Sequence, residues 1–236
     1  MQQQGVSTWD QRQPGVKTEE GIGSKTLKIL RELFDKPFMP TTGSVLELGC
    51  GTGPVLRWMC RKGFTGLGVD ISPTAIQMAR TLSEGIDVSF QHGDVCAMPL
   101  TGRFDLIIDG HCLHCITDSH DRRIILNNVV GALNENGCFL VMSMCGPVNL
   151  ALLQQQMSGQ VFADDTIYVP MPSALAYQGA RQFNGTPHIP TRHIAEWREV
   201  VAEVESAGLH CWYAQFEHPA ADDLCGTFIG AFKPVR

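Results

Sequence analysis

Three glycines alternate in Gly49-Cys50-Gly51-Thr52-Gly53, two residues after Glu47, and further acids follow at Asp70, Asp94 and Asp109. Glycines placed directly after an apolar strand and before a helix let the backbone approach a ligand closely. A carboxylate about 20 residues further on can accept hydrogen bonds from both hydroxyls of a ribose. Asp70, followed by Ile71, closes the next apolar run, and Asp94-Val95 follows the one after. One acid per strand end on consecutive strands defines a crevice for a nucleotide-type cofactor. The competing reading is that Asp70 and Asp94 only cap the turns and helices that follow them.

A second cluster lies in Asp109-Gly110-His111-Cys112-Leu113-His114-Cys115. Imidazoles can take a proton near neutral pH, so His111 is the first candidate for a general base and His114 the second. Asp109 can serve a cofactor or an acceptor, or satisfy loop amides. The C-x-x-C spacing raises zinc, yet a structural zinc site needs four convergent ligands and no second C-x-x-C or H-x-x-x-H occurs. No metal is expected here.

These residues require an alternating scaffold. Short apolar runs predict strands over 45–48, 66–69, 87–91, 104–109 and 139–144. Helices are predicted after Gly53, at Ser72-Pro73 and near Ser119, with an earlier one from Ser24 that stops before Pro37. Apolar strands separated by helices predict a doubly wound, mostly parallel sheet covered on both faces. Two final strands near 209–216 and 224–232 suit a hairpin, preceded by a helix from about Thr191 to Ala207 that Gly208 closes. Residues 1–23 read as an arm, and about 147–190, with Pro170, Pro172, Pro187 and Pro190, as an insertion of the kind that forms lids. A chain of 236 residues suits one domain with that elaboration.

With these motifs in order, the stretch from Ser44 to Ser143 resembles the class I S-adenosylmethionine (SAM) dependent methyltransferase superfamily, whose first motif reads acidic-x-G-x-G-x-G. The resemblance implies a Rossmann-like α/β fold with a seven-stranded sheet whose last strand is antiparallel. It implies SAM as cofactor, with S-adenosylhomocysteine as product. Gly49, Cys50, Gly51 and Gly53 would pass the methionine portion, Glu47 its amino group, Asp70 with Ile71 the ribose, and Asp94 with Val95 the adenine. The Leu113-His114 pair is common in small-molecule members, where this strand end faces the methyl group. A nicotinamide cofactor is disfavoured because the spacing is G-x-G-x-G rather than G-x-G-x-x-G, and a P-loop because no Gly-Lys-Ser/Thr follows.

The acceptor belongs to the arm and the insertion, since binding residues concentrate on such segments. Trp9, Tyr168 and Tyr177 can wall it, and Arg181 or Arg192 can hold a carboxylate. The Asn/Asp-Pro-Pro-Tyr/Phe signature of methyltransferases acting on base amines is missing. The formal charge of −6 also disfavours a nucleic-acid surface. A small-molecule acceptor is favoured by elimination, with a SAM-binding sensor that transfers no methyl group as the alternative. No run reaches the roughly 18 apolar residues of a membrane span, and nine scattered cysteines suit a reducing, cytoplasmic setting. Nothing in the sequence speaks to oligomeric state.

Overall fold

The computed structural model describes residues 24–156, 159–171 and 177–235. Helix α1 (Ser24–Leu33) precedes a regular alternation of β1 (Gly43–Leu48), α2 (Pro54–Arg61), β2 (Phe64–Asp70), α3 (Pro73–Leu82), β3 (Val88–His92) and β4 (Phe104–Gly110). A 3-10 turn (Leu113–Cys115) leads into α4 (Ser119–Ala132) and the long strand β5 (Leu133–Cys145). After α5 (Leu150–Gln156) come β6 (Val161–Ala163), β7 (Thr166–Pro170), β8 (Arg181–Phe183) and β9 (Thr186–His193). The chain closes with α6 (Trp197–Ser206), β10 (Leu209–Glu217) and β11 (Gly226–Pro234).

Seven strands form one sheet in the order β10-β11-β5-β4-β1-β2-β3. Pairs β5-β4, β4-β1, β1-β2 and β2-β3 are parallel, and β11 runs antiparallel to both β5 and β10. The strands alternate their side chains between two cores. Val45, Ile108 and Leu140 meet Leu30, Leu56 and Ile76 on one face, while Leu46, Ile107 and Val141 meet Leu126, Val129 and Val204 on the other. Burial on both faces explains why these strands read as continuous apolar runs. Their carboxyl ends gather along one edge, and β1 and β4 are neighbours although far apart in sequence, which opens a crevice between their crossovers.

The helix starts are set locally. Pro54 and Pro73 occupy first-turn positions, and Ser72 caps α3 by accepting the Ala75 amide at 3.1 Å. Asp118 caps α4, accepting the amides of His120 and Asp121.

The second sheet departs from expectation. Instead of an irregular insertion, β6-β7-β9-β8 make a four-stranded antiparallel sheet. Its two hairpins turn on two-residue loops, Asp164-Asp165 and Asn184-Gly185, with all four residues at positive φ. Turns of that kind match strand twist, and Asn-Gly is a strong sequence signal for one. The helix expected from Thr191 begins at Trp197, and Thr191 and Arg192 belong to β9. Residues 191–193 instead extend β9, held by the ladder in which Arg192 faces Ile167 and His193 faces Thr166 across the β7-β9 pairing.

Candidate functional site

At the end of β1 the chain turns through Gly49, Gly51 and Gly53, all at positive φ. Gly53 begins α2, and a Cβ there would lie 2.5 Å from the Phe90 ring, so only glycine fits. A Cβ on Gly51 would meet nothing within 4 Å, which leaves the middle of the loop open to a ligand. The Gly51 amide donates to Asp70 Oδ2 at 2.8 Å, and the Ser72 amide donates to Asp70 Oδ1 at 2.8 Å. Asp70 therefore ties the glycine loop to the start of α3. The capping role weighed for it is real, and a carboxylate has lone pairs for further donors.

Glu47 is the penultimate residue of β1 and only 4% exposed, with Oε2 lacking any hydrogen-bond partner among the described residues. Burial, then the neighbouring Asp70 carboxylate, holds its carboxyl well above the ordinary range. A buried acceptor without a donor asks for one. An ammonium group, such as that of a cofactor's methionine portion, is the donor this position fits.

Asp94 accepts the Cys96 amide at 2.9 Å, and Val95 behind it is buried. The Ile71 carbonyl oxygen lies 3.1 Å from His92 Nε2. These residues line the same edge beyond β2 and β3.

After β4, Asp109 is fully buried and turns back into its own loop, accepting the amides of Cys112 at 3.0 Å and Leu113 at 2.7 Å through Oδ1. Its Oδ2 has no hydrogen-bond partner among the described residues, and burial raises its pKa to about 7. His111 stands at φ 72, a conformation rare outside glycine, with its amide held by Met142 O at 3.0 Å. A Cβ on Gly49 would lie 2.9 Å from Cys112 Cβ, so the glycine loop and the histidine turn are in direct contact.

His114 is buried and meets the His111 ring edge to face, with centroids 5.6 Å apart. Burial first, and then the Arg192 charge, pushes its pKa well below the ordinary imidazole value. The Met144 amide donates to Nδ1 at 3.4 Å. The neutral ring that accepts there carries its proton on Nε2.

The pair Arg122-Arg123 reads in the sequence as solvated charge near a helix end, but the Arg122 side chain is only 3% exposed and organises this turn. It donates to Leu113 O at 2.7 Å and Ile116 O at 3.2 Å, and forms a two-pronged pair with Glu203 of α6. Burial of an arginine in the apolar pattern of α4 was its one available signal.

The acceptor candidates are dispersed. Trp9 lies outside the described residues. Tyr168 is buried in β7, and Arg181 lies over its ring at 5.2 Å while pairing with Asp164. Arg192, in β9, donates to Thr191 O at 2.7 Å, and its charge lowers the pKa of both His114 and Cys115. Tyr177 is partly buried at the margin of the small sheet. A cavity of ≈ 300 Å³ lies between the small sheet and the start of α4, and it brings Tyr168 and Arg181 together with Thr117 and Asp121. Neither Tyr177 nor Arg192 lines it. All nine cysteines are free thiols, and among the described residues no three His, Cys, Asp or Glu side chains gather as a metal site.

Comparison with known proteins agrees with this geometry. Residues 45–137 match the family described as a methyltransferase domain. The chain is 28% identical over 145 residues to nodulation protein S of Azorhizobium caulinodans, covering 61% of this chain and 67% of that one. It is 36% identical over 76 residues to the 2-heptyl-1-hydroxyquinolin-4(1H)-one methyltransferase of Mycobacteroides abscessus, covering 30% of this chain and only 34% of that protein. In three dimensions it is similar to the DhpI-SAM-HEP complex, with TM-score 0.62, 18% identity, and coverage of 97% of this chain and 92% of the other.

Proposed function

We propose that the chain is a class I SAM-dependent methyltransferase, a reading supported by its match over residues 45–137 to the methyltransferase-domain family, and that its acceptor is a small molecule held between the 111–115 turn and the four-stranded sheet. The observation that supports this reading is the cavity of ≈ 300 Å³ between the small sheet and the start of α4, whose lining begins at Thr117, two residues after that turn, and whose volume is that of a small-ligand pocket. The small sheet then acts as the lid of a single domain. The net charge of −6 is consistent, since an acidic chain is poorly suited to neutralising a phosphate backbone.

SAM supplies an electrophilic methyl group on a sulfonium, so the protein's tasks are alignment, water exclusion and management of one proton. Glu47 Oε2 takes the cofactor's ammonium. Asp70 holds the glycine loop in place and offers its remaining lone pairs to the ribose hydroxyls, with Ile71 beside it and Asp94 and Val95 toward the adenine. Asp109 shapes the turn instead of reaching outward.

His111 is the residue in place to take a proton from an acceptor hydroxyl or amine. His114 is a positioning residue, because its Nδ1 is engaged by the Met144 amide and its ring stays neutral. A cytoplasmic setting suits nine unpaired thiols, and among the described residues no helix is long and apolar enough to cross a membrane.

The test is S-adenosylhomocysteine formation by the purified chain with a panel of small metabolites. Turnover on one or more of them is expected. SAM binding with no turnover on any acceptor would instead support a cofactor sensor.

A further inference from the structure

Around the histidine turn, Arg192 is the cation that the fold leaves without a counter-charge. Arg122 is paired with Glu203 and Arg181 with Asp164, whereas among the described residues no carboxylate lies within ion-pair distance of Arg192. Its side chain makes one hydrogen bond there, to the carbonyl of the preceding residue, Thr191, at 2.7 Å. A guanidinium carries five N–H donors in a planar fork, so most of that capacity is open. The residue is half-buried. A charge drawn partly out of water with no partner is costly, and an anion placed against it offsets that cost.

The strand decides where this charge is presented. Side chains alternate across β9, and His193 turns to the cavity beside α4. Arg192 lies on the other face with its ladder partner Ile167, which packs in an apolar cluster with Leu153, Ile194 and Met144. The Met144 amide donates to His114 Nδ1 at 3.4 Å, and β9 packs directly on the 3-10 turn that carries His114. After burial, the Arg192 charge is the main influence on two groups of that turn, lowering the His114 imidazole further and pulling the Cys115 thiol back down. Asp109, the acid of the turn, is spent on the Cys112 and Leu113 amides.

We propose that Arg192 anchors a carboxylate of the acceptor between this face of β9 and the 111–115 turn, so that the substrate class is a small organic acid. The inference rests on the small-molecule reading above and narrows it. A planar fork meets a carboxylate through two parallel hydrogen bonds, which fixes the orientation of the acid as well as its position. Held there, the rest of the acceptor reaches toward His111, whose ring meets that of His114 edge to face. Binding energy remote from the reacting atom then serves alignment.

The experiment titrates the S-adenosylhomocysteine-loaded protein by calorimetry with a panel of small hydroxy and amino acids, aliphatic and aromatic, and with the primary amide of each. Wild type, Arg192→Gln and Arg192→Lys are compared, with SAM affinity measured on each. At least one acid is expected to bind tenfold or more tightly than its amide and to shift the ring resonances of His114 in the NMR spectrum. Arg192→Gln is expected to erase that preference and Arg192→Lys to keep part of it, since the charge remains and the fork is lost. SAM affinity is expected to be unchanged in both. Equal binding of acids and amides, binding of neither set, or a preference that survives Arg192→Gln would overturn the inference. So would a loss of SAM affinity in Arg192→Gln, which would give Arg192 to the cofactor's own carboxylate. Those results leave small-molecule methylation standing, because that reading fails separately, when turnover is found only on RNA or protein.

Discussion

The carboxyl edge of the seven-stranded sheet and the four-stranded sheet beside it handle charge in opposite ways. Along the edge, buried carboxylates are left incompletely satisfied: Glu47 Oε2 and Asp109 Oδ2 have no hydrogen-bond partner among the described residues. In the small sheet, Arg192 apart, the polar groups are spent on one another. Arg181 pairs with Asp164, and both ring nitrogens of His188 lie on backbone carbonyls, Thr186 O at 2.8 Å and Gly159 O at 2.9 Å. The first pattern is that of a site awaiting donors, and the second that of a cover holding its own shape. Stability and binding should therefore respond separately to changes in the two regions.

The largest expected effect comes from the link that holds the histidine turn. Arg122→Ala leaves the Leu113 and Ile116 carbonyls and Glu203 without their donor, and it should cost about 3–5 kcal/mol in chemical denaturation. Asp70→Ala comes next. It strips the acceptor from the Gly51 and Ser72 amides, which should cost about 2–3 kcal/mol and weaken SAM binding at least tenfold by calorimetry, so that stability and affinity fall together. Unchanged affinity would remove Asp70 from the crevice.

A smaller effect is pH-dependent. The pKa of Asp109 is raised to about 7 in the folded protein, so folding favours its protonated form. Its contribution to stability is fully present below the carboxylate's unfolded value near 4 and is lost as pH rises through about 7. The unfolding free energy of wild type minus that of Asp109→Asn should fall as pH is raised from 4 to 7. A flat difference would mean that the carboxyl ionises normally. The smallest change belongs to the cover: Gly185→Ala, at φ 77 in the β8-β9 hairpin, should lower stability by about 1 kcal/mol and leave SAM affinity untouched. A loss of SAM affinity there would break the separation of the two regions.

The same contrast explains what was legible in sequence. The crevice residues follow directly on apolar strands, so Gly49 to Gly53, Asp70 and Asp94 could be placed by strand, turn and helix signals alone. The alternation from 43 to 145 and the terminal hairpin followed from burial on two faces. The small sheet was read as irregular because its prolines hid the strand alternation, although Asn184-Gly185 marked one of its turns. Arg122 with Glu203 joins positions 81 residues apart, and the cavity is walled by α4 and three strands of the small sheet. Neither leaves a local pattern to read.

The most direct test of the central claim is to incubate the protein with SAM carrying a deuterated methyl group and a cell extract, and to follow the label by mass spectrometry. The extract would be separated into small-molecule, RNA and protein fractions. The account predicts label in the small-molecule fraction. Label confined to RNA or protein would contradict it.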